Sequence, residues 1–331
     1  MKKIFILTCL TLFNFSNVSA VTLYDALNQA YQNNIQLNAE RESLKASEQD
    51  VNISKGNYLP SLTLSGTQSQ EDTSKLTNRD GSNAAITDVD PFTTSIKLEQ
   101  TILDFGRGLE LKKSKAGLDL AKARLIKKEQ DVLHSAIDAY SNLILAREKN
   151  DINEKNLNLL TRQVENDKIR LNRGQITITD LAQSESSFAG AQAQFTQAKS
   201  ELLIAKLTYQ NIIGKISDVN QLEKSSNSIV GVPNSLSKQN NPDIKIAKFD
   251  LVQSEKDLAI SKSDLAPTAT LSLEKSYADD ISSTYDEREK ETLKATVSWP
   301  FFSGGKKFST IKKNSNLTTR KRLLLDDAVR T

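Results

Sequence analysis

Cysteine and histidine, which often carry redox, metal and acid–base chemistry, are almost missing from this sequence. Cys9 and His134 are the only examples in 331 residues. Cys9 lies within an N-terminal apolar run and follows Thr8 rather than a small residue, which argues against a lipoprotein anchor. The exported chain is therefore predicted to have no disulfide and no sulfur metal site, and a lone histidine in a helical pattern indicates a structural role.

Catalytic motifs are also lacking. The sequence has no glycine-rich phosphate loop, no nucleophile with a histidine partner and no cluster of metal ligands. Its many carboxylates fall on helix faces with lysines nearby, as is typical of solvated surfaces. The sequence therefore predicts no enzymatic activity, no catalytic residue and no metal site.

The sequence also lacks an excess of one charge and a long apolar helix. The chain has 44 basic and 41 acidic residues, a balance that does not favour a nucleic-acid partner. Beyond the N-terminal segment no run of 18 apolar residues occurs, so no membrane-spanning helix is predicted there. Any passage of this chain through a membrane would have to be made by strands.

The first 20 residues have the pattern of a signal peptide. Lys2 and Lys3 precede an apolar run over residues 4–15, and residues 18–20 form a small-residue cleavage site. The mature chain is predicted to begin at Val21.

An internal repeat follows. Residues 33–65 align without a gap on residues 240–272, with thirteen of the thirty-three positions identical. The alignment also brings Pro60 onto Pro267, each just before an alternating segment, which argues against two helices that merely share a composition. We therefore predict a first structural repeat over residues 21–239 and a second that begins at residue 240.

The second repeat is predicted to be incomplete. The second copy starts 207 residues after the first. A full second copy would therefore end at about residue 446, whereas Thr331 is the last residue. The final segment from residue 306 has no glycine or proline and is typical of a helix that has just begun. Truncation at the C-terminus is the expectation, and whether Thr331 is the true terminus stays open.

Each repeat is predicted to start with a helix and continue as a β-hairpin. In the first copy every seventh residue from Ala30 to Tyr58 is apolar, so one helix is predicted over residues 22–57. Pro60 and Pro267 end the helices, and alternating hairpins follow over residues 61–103 and 268–302. The strand positions predicted to face lipid are Leu62, Leu64, Ile96, Leu98, Leu271, Leu273, Val297 and Trp299.

Such strands fit either a half-buried soluble sheet or a transmembrane barrel with lipid on one side and water on the other. The signal peptide, the long polar loops and a group of aromatic residues near the opposite ends of the hairpins favour the barrel. These aromatic residues are Tyr58, Phe105, Trp299, Phe301 and Phe302. Because the smallest barrels need about eight strands, four strands would have to be completed by other copies of the chain.

Between the hairpins, residues 105–213 are predicted to form an antiparallel coiled coil. Apolar residues recur every seventh position from Leu111 to Ala146, and a second helix carries an a/d seam from Leu181 to Ile212. Gly174 marks the turn, and residues 214–239 are predicted as a linker. The fold class is therefore mainly α, with long antiparallel coiled-coil helices and two β-hairpins contributing four strands to an oligomeric transmembrane β-barrel.

This arrangement resembles the TolC family of outer-membrane efflux and secretion channels. The segments that carry the resemblance are NNIQLNAERESLKASEQDVNISKGNYLPSLTLS, TILDFGRG and WPFFSGGKK. The resemblance implies a homotrimer with a twelve-stranded barrel in outer-membrane lipid and a helical tunnel across the periplasm. It also implies a passive conduit, without cofactor or enzymatic activity, joined by a periplasmic adaptor protein to an inner-membrane pump or a secretion ATPase.

The turn between the coiled-coil helices resembles the tip through which this family contacts its adaptor. The resemblance gives an adaptor-contact role to Arg170, Gly174, Gln175, Ile176, Thr179 and Asp180. Thr179 or Asp180 is expected to cap the returning helix, and Gly174 to supply a positive φ. Arg173 and Gln175 replace the family's usual apolar residues beside the glycine. The alternative role for Gly174 and Asp180 is only to form the turn, without contacting an adaptor. The family's second tip would lie beyond residue 331.

The sequence leaves three functional alternatives. The first is a channel subunit of a tripartite efflux pump or a type I secretion system. The second is a periplasmic coiled-coil adaptor or scaffold, which should carry one helical hairpin between small soluble β domains rather than hairpins that recur. The third is a non-functional fragment of a channel.

Overall fold

The structure is a computed structural model that describes residues 21–72, 74–83, 89–215, 219–223, 241–281 and 286–330. The predicted signal peptide and most of the predicted linker lie outside these ranges. In the described residues no helix combines the length and apolarity needed to cross a membrane.

The chain is mainly helical with two β-hairpins, which confirms the predicted fold class. The elements are α1 (Leu23–Asn33), α2 (Ile35–Gly56), β1 (Ser61–Gln68), β2 (Phe92–Leu103), α3 (Arg107–Asn172), α4 (Ile178–Ile212), α5 (Pro242–Ser263), β3 (Thr268–Asp279), β4 (Glu287–Ser298) and α6 (Lys306–Arg330), with a short 3-10 turn at Val219–Gln221. The described residues fall into two compact units. The coiled-coil unit contains those up to 39 and from 128 to 223, and the sheet unit contains those from 40 to 127 and from 241 to 330.

The predicted single helix over residues 22–57 is wrong, because the chain breaks at Asn34 into α1 and α2. Asn34 has an extended backbone, with φ −64° and ψ 121°. Its side-chain oxygen accepts a 3.1 Å hydrogen bond from the Leu37 amide, and its side-chain nitrogen donates to the Ile212 carbonyl at 3.1 Å. The asparagine therefore ends one helix and caps the next, as short amide side chains do.

The sequence repeat reappears in this cap. Asn241, which aligns with Asn34, caps α5 by accepting a 2.9 Å hydrogen bond from the Asp243 amide. Both helices that follow the two asparagines, α2 and α5, are 22 residues long. The repeated asparagine therefore starts an equivalent helix in each copy.

The coiled-coil unit packs α4 through small residues at seven-residue spacing. Ser184, Ala191 and Ala198 are all buried, and α3 contributes buried alanines at 136, 139 and 146. Small side chains allow two helix backbones to approach closely, as the a/d pattern predicts.

Two side chains of α3, the buried Tyr140 and the half-buried Arg147, hold other segments of the coiled-coil unit. The hydroxyl of Tyr140 lies 2.9 Å from the Val21 carbonyl and 2.6 Å from the Glu223 carbonyl. Arg147 donates to the Val219 carbonyl at 3.0 Å. These bonds join Val21 and the segment from Val219 to Glu223 to α3.

The helices of the sheet unit are linked by ion pairs and hydroxyl groups. Lys321 on α6 lies 2.6 Å from the Asp250 carboxylate on α5, and Lys113 on α3 lies 2.6 Å from Asp257. Thr318 is buried and donates to the Ser254 carbonyl at 3.1 Å. Polar seams of this kind set the register of neighbouring helices.

Candidate functional site

The four strands form one antiparallel sheet in the order β1, β2, β3, β4. Leu62 pairs with Leu98, Leu98 pairs with Leu273, and Leu273 pairs with Leu293. Residues paired across a sheet point to the same face, and alternate residues along a strand share that face. The face that carries these four leucines also carries Leu64, Ile96, Ala269, Leu271, Ala295 and Val297.

This apolar face is uncovered in the single chain. Leu64 exposes 79% of its surface and Val297 exposes 72%. Seven of the eight residues predicted to face lipid lie on it. The other face is built almost wholly from polar residues, which include Ser61, Thr63, Ser65, Ser95, Lys97, Glu99, Thr270, Ser272, Glu274, Thr292 and Lys294.

Trp299, the eighth predicted residue, lies outside the strands, because β4 ends at Ser298. Pro300 follows it and has no amide hydrogen for a strand ladder, which accounts for the end of pairing. The indole nitrogen of Trp299 instead donates a 3.0 Å hydrogen bond to the Leu265 carbonyl. Its ring meets the Phe301 ring edge to face, with centroids 5.8 Å apart.

The sheet is open at both sides. Among the described residues, β1 pairs only with β2 and β4 only with β3, so each presents a row of backbone groups without a strand partner. An edge of this kind is a template for pairing with another chain.

Arg107 joins the sheet to the helices of its unit, a role that sequence reasoning missed. Its guanidinium donates to the Asn57 carbonyl at 3.2 Å and to the Thr101 carbonyl at 3.0 Å. It also lies 4.7 Å from the centre of the Tyr58 ring. The arginine is buried, so these contacts replace the water that its charge would otherwise bind.

In the coiled-coil unit, α3 ends in a Schellman motif at the predicted tip. Gly174 has φ +68°. Its amide donates to the Leu171 carbonyl at 2.8 Å, and the Gln175 amide donates to the Arg170 carbonyl at 2.9 Å. These bonds satisfy the last carbonyls of α3, and the positive φ explains the glycine.

The returning helix is capped by Thr177, so the predicted cap at Thr179 or Asp180 is wrong. The Thr177 hydroxyl oxygen accepts from the Asp180 amide at 3.2 Å, and the Asp180 carboxylate accepts from the Thr177 amide at 2.9 Å. This reciprocal capping box places Asp180 in the first turn and Thr179 inside the helix. Hydrogen bonds from Thr177 and the nearby charge of Arg170 hold the pKa of Asp180 below its usual value.

A buried polar link lies about two helix turns from this tip. Ser184 on α4 donates a 2.6 Å hydrogen bond to Asp167 on α3, and both side chains are buried. The guanidinium of Arg170 lies 3.5 Å from the same carboxylate. The turn that carries the residues predicted for adaptor contact is therefore stabilised by a buried hydrogen bond between α3 and α4. On this turn Gly174, Gln175, Thr179 and Asp180 are exposed.

His134 lies on the surface of α3, 79% exposed, with its ring nitrogen 3.1 Å from the Asp138 carboxylate. Within the described ranges no group of three or more histidine, cysteine or acidic side chains could hold a metal ion.

Residues 26–215 match the sequence model of the outer membrane efflux protein family. This protein belongs to that family. Membership places it in the outer membrane, and it confirms the family resemblance of the sequence.

Two relatives and one solved structure show the breadth of the family. The chain is 25% identical to the outer membrane efflux protein BepC of Brucella suis over 92% of its own length and 66% of that protein. It is 23% identical to the alkaline protease secretion protein AprF of Pseudomonas aeruginosa, over 94% and 67%. Its fold matches the Campylobacter jejuni CmeC outer membrane channel with a TM-score of 0.79 at 15% identity, over 93% and 67%. The chain thus spans about two thirds of the length of these proteins.

Proposed function

We propose that this protein is a subunit of an oligomeric export channel in the outer membrane, and that its sheet forms one sector of a barrel shared among copies. The observation that carries the proposal is the open sheet, with one exposed apolar face and one polar face. This is the pattern of a strand layer with lipid on one side and water on the other.

The two open edges argue for the oligomer. A backbone group left unpaired in lipid costs several kcal/mol, so β1 and β4 must each find a partner strand. Pairing β4 of one copy with β1 of the next satisfies both edges. Three copies would supply twelve strands, which is enough to enclose a water-filled interior.

We propose that the turn around Gly174 contacts a periplasmic adaptor. Four features support it: a fixed Schellman turn, a capped returning helix, exposed polar side chains and the buried Asp167–Ser184 brace. The residues assigned to the contact are Arg170, Gly174, Gln175, Ile176, Thr179 and Asp180. The energy source would be an inner-membrane pump or a secretion ATPase, since the relatives include both efflux and protease secretion proteins.

Adjacent residues of β4 provide the test of the membrane assignment. Leu293 lies on the apolar face and Thr292 lies on the polar face opposite Glu274. Leu293→Arg should destabilise the inserted protein by up to about 2–4 kcal/mol per subunit, because it places a charge in lipid. Thr292→Arg should be tolerated, because its charge would face water and a carboxylate.

The measurement is outer-membrane fractionation combined with heat-modifiable gel migration of the oligomer. The unmodified protein and Thr292→Arg should fractionate with the outer membrane and shift on heating, whereas Leu293→Arg should not. Purely soluble periplasmic behaviour of the unmodified protein would contradict the proposal and favour a periplasmic scaffold.

A further inference from the structure

The charges of β4 are sorted by sign between the two faces of the sheet. Arg288, Lys290 and Lys294 occupy alternate positions that share the polar face. The acidic residues of this strand, at positions 287, 289 and 291, occupy the intervening positions and therefore point to the opposite face. One strand thus presents only basic charge to the polar side.

These three basic residues have no carboxylate directly opposite them. Their partners on β3 are Ala278 for Arg288, Ser276 for Lys290 and Ser272 for Lys294. All three basic side chains are exposed, and none has an ion pair within the described residues. Their charge is therefore available to a solute.

The two acidic residues of the polar face lie next to its fourth basic residue, Lys97. Glu99 lies 2.5 Å from the ammonium group of Lys97. Glu274 lies opposite Lys97 in the register of β2 and β3, and opposite Thr292 in the register of β3 and β4. The polar face therefore carries four basic and two acidic side chains in its strands, a net charge of +2 for each copy.

Pairing with another copy would not neutralise this charge. The strand that would lie beside β4 in a closed barrel is β1 of the next copy, and β1 has the sequence SLTLSGTQ, without a charged residue. On the opposite face the arrangement differs, because Lys275 and Glu291 form a 3.1 Å ion pair. Basic charge thus remains unbalanced only on the polar side.

We propose that the polar face of the sheet is a basic lining that favours anionic solutes, and that Arg288, Lys290 and Lys294 set this preference. The inference rests on the proposed function, since the polar face becomes a lining only when the sheet closes into a barrel. Fixed charges of one sign along a narrow aqueous path between low-dielectric walls concentrate counter-ions. Three copies would place nine basic side chains from β4 around one interior.

The protein is purified from outer membranes and reconstituted in planar bilayers. The experiment measures the reversal potential of the current through it under a potassium chloride gradient. The decisive variant exchanges neighbouring charges, Glu289→Lys with Lys290→Glu. The exchange keeps the net charge of the protein and moves one cation from the polar to the apolar face. At about 0.1 M salt we expect the chloride-to-potassium permeability ratio to fall at least about twofold.

A second variant, Lys294→Gln, should shift the ratio in the same direction without adding a charge to the apolar face. Both shifts should shrink near about 1 M salt, where the screening length falls to about 3 Å. Lys312→Gln, on α6 and outside the sheet, is the control for the loss of one lysine.

The outcomes separate the two proposals. Conducting channels whose permeability ratio is unchanged by the exchange and by Lys294→Gln would overturn the basic lining while leaving the channel function intact. An equal shift in Lys312→Gln would overturn it as well. Absence of any conductance from the unmodified protein would contradict the channel function, and the lining with it.

Discussion

The Ser184 hydroxyl donates a 2.6 Å hydrogen bond to the Asp167 carboxylate, and the two side chains are buried between α4 and α3. A buried carboxylate needs such donors because it has lost most of its water. The pair fixes how the two helices meet near the turn at Gly174.

Ser184→Ala should therefore lower the free energy of unfolding by about 1–3 kcal/mol, because it leaves a buried acceptor without its partner. Urea unfolding followed by circular dichroism measures the change. Ser187→Ala is the matched control, since the Ser187 hydroxyl is exposed and bonds only to the Gln183 carbonyl of its own helix. Equal stability of the two variants would show that the buried pair adds nothing.

Tyr140→Phe should destabilise the coiled-coil unit by about 0.5–1.5 kcal/mol. It removes the hydroxyl that lies within hydrogen-bond distance of the Val21 and Glu223 carbonyls, and so takes a hydrogen-bond donor out of a part-buried site. Tyr24→Phe is the comparison, because Tyr24 is 76% exposed and should change stability by less than about 0.5 kcal/mol. Thermal unfolding of both variants gives the difference, and a similar midpoint for the two would argue against the role of the hydroxyl.

Alanine in place of glycine should have opposite effects on the stability of the protein at two positions of the coiled coil. At Gly174 a side chain has space, but the φ of +68° costs a non-glycine residue about 1–2 kcal/mol. At Gly190, inside α4 and also with open space around it, alanine should stabilise by about 0.5–1 kcal/mol. Unfolding midpoints that move in the same direction for both variants would contradict this account.

The capping box at Thr177 should weaken in acid. Hydrogen bonds to the ionised form lower the pKa of Asp180 in the folded protein, so its contribution is fully present above the unfolded pKa of about 3.9 and is lost as the pH falls through the folded pKa. Hydrogen exchange of the first turn of α4, corrected for the intrinsic pH dependence, should show protection that is constant from about pH 5 to pH 7 and falls below about pH 4.

Asp180→Asn is the control for this experiment. It keeps the shape of the side chain and removes the titration, so its first turn should show no loss of protection in the acid range. If the variant lost protection over the same range as the unmodified protein, another group would be responsible.

Much of the fold follows from patterns within single elements. The repeat, the two prolines and the change from a seven-residue to a two-residue period predicted the helices, both hairpins and the apolar face of each strand. These patterns are strong because they record which side of an element is apolar.

Local caps were less well predicted, for a physical reason. Asn34 interrupts a regular heptad pattern, and the difference between an asparagine inside a helix and one at its cap is only about 1 kcal/mol, which packing can decide. Thr177 could have been found, since a threonine three residues before Asp180 is the pattern of a capping box. Thr179 stands next to Asp180, as in the tip that the sequence resembles, and both threonines are compatible with a helix start.

Contacts between distant segments could not be read from the sequence. The Asp167–Ser184 bond and the carbonyl contacts of Arg107 depend on how elements meet in space, and neither has a signature in local composition. The pairing of Leu98 with Leu273 likewise follows from the register of β2 and β3, which no turn connects.

That pairing also fixes an order of folding. Each hairpin joins strands that are close in the chain, whereas β2 and β3 are separated by the whole coiled coil, so their ladder is a contact of long sequence separation and forms slowly. During synthesis and export, β1 and β2 emerge long before β3, and β2 must wait with an open edge that could pair with a wrong strand. The late joining of the two hairpins is therefore the step at which this protein should depend most on chaperones.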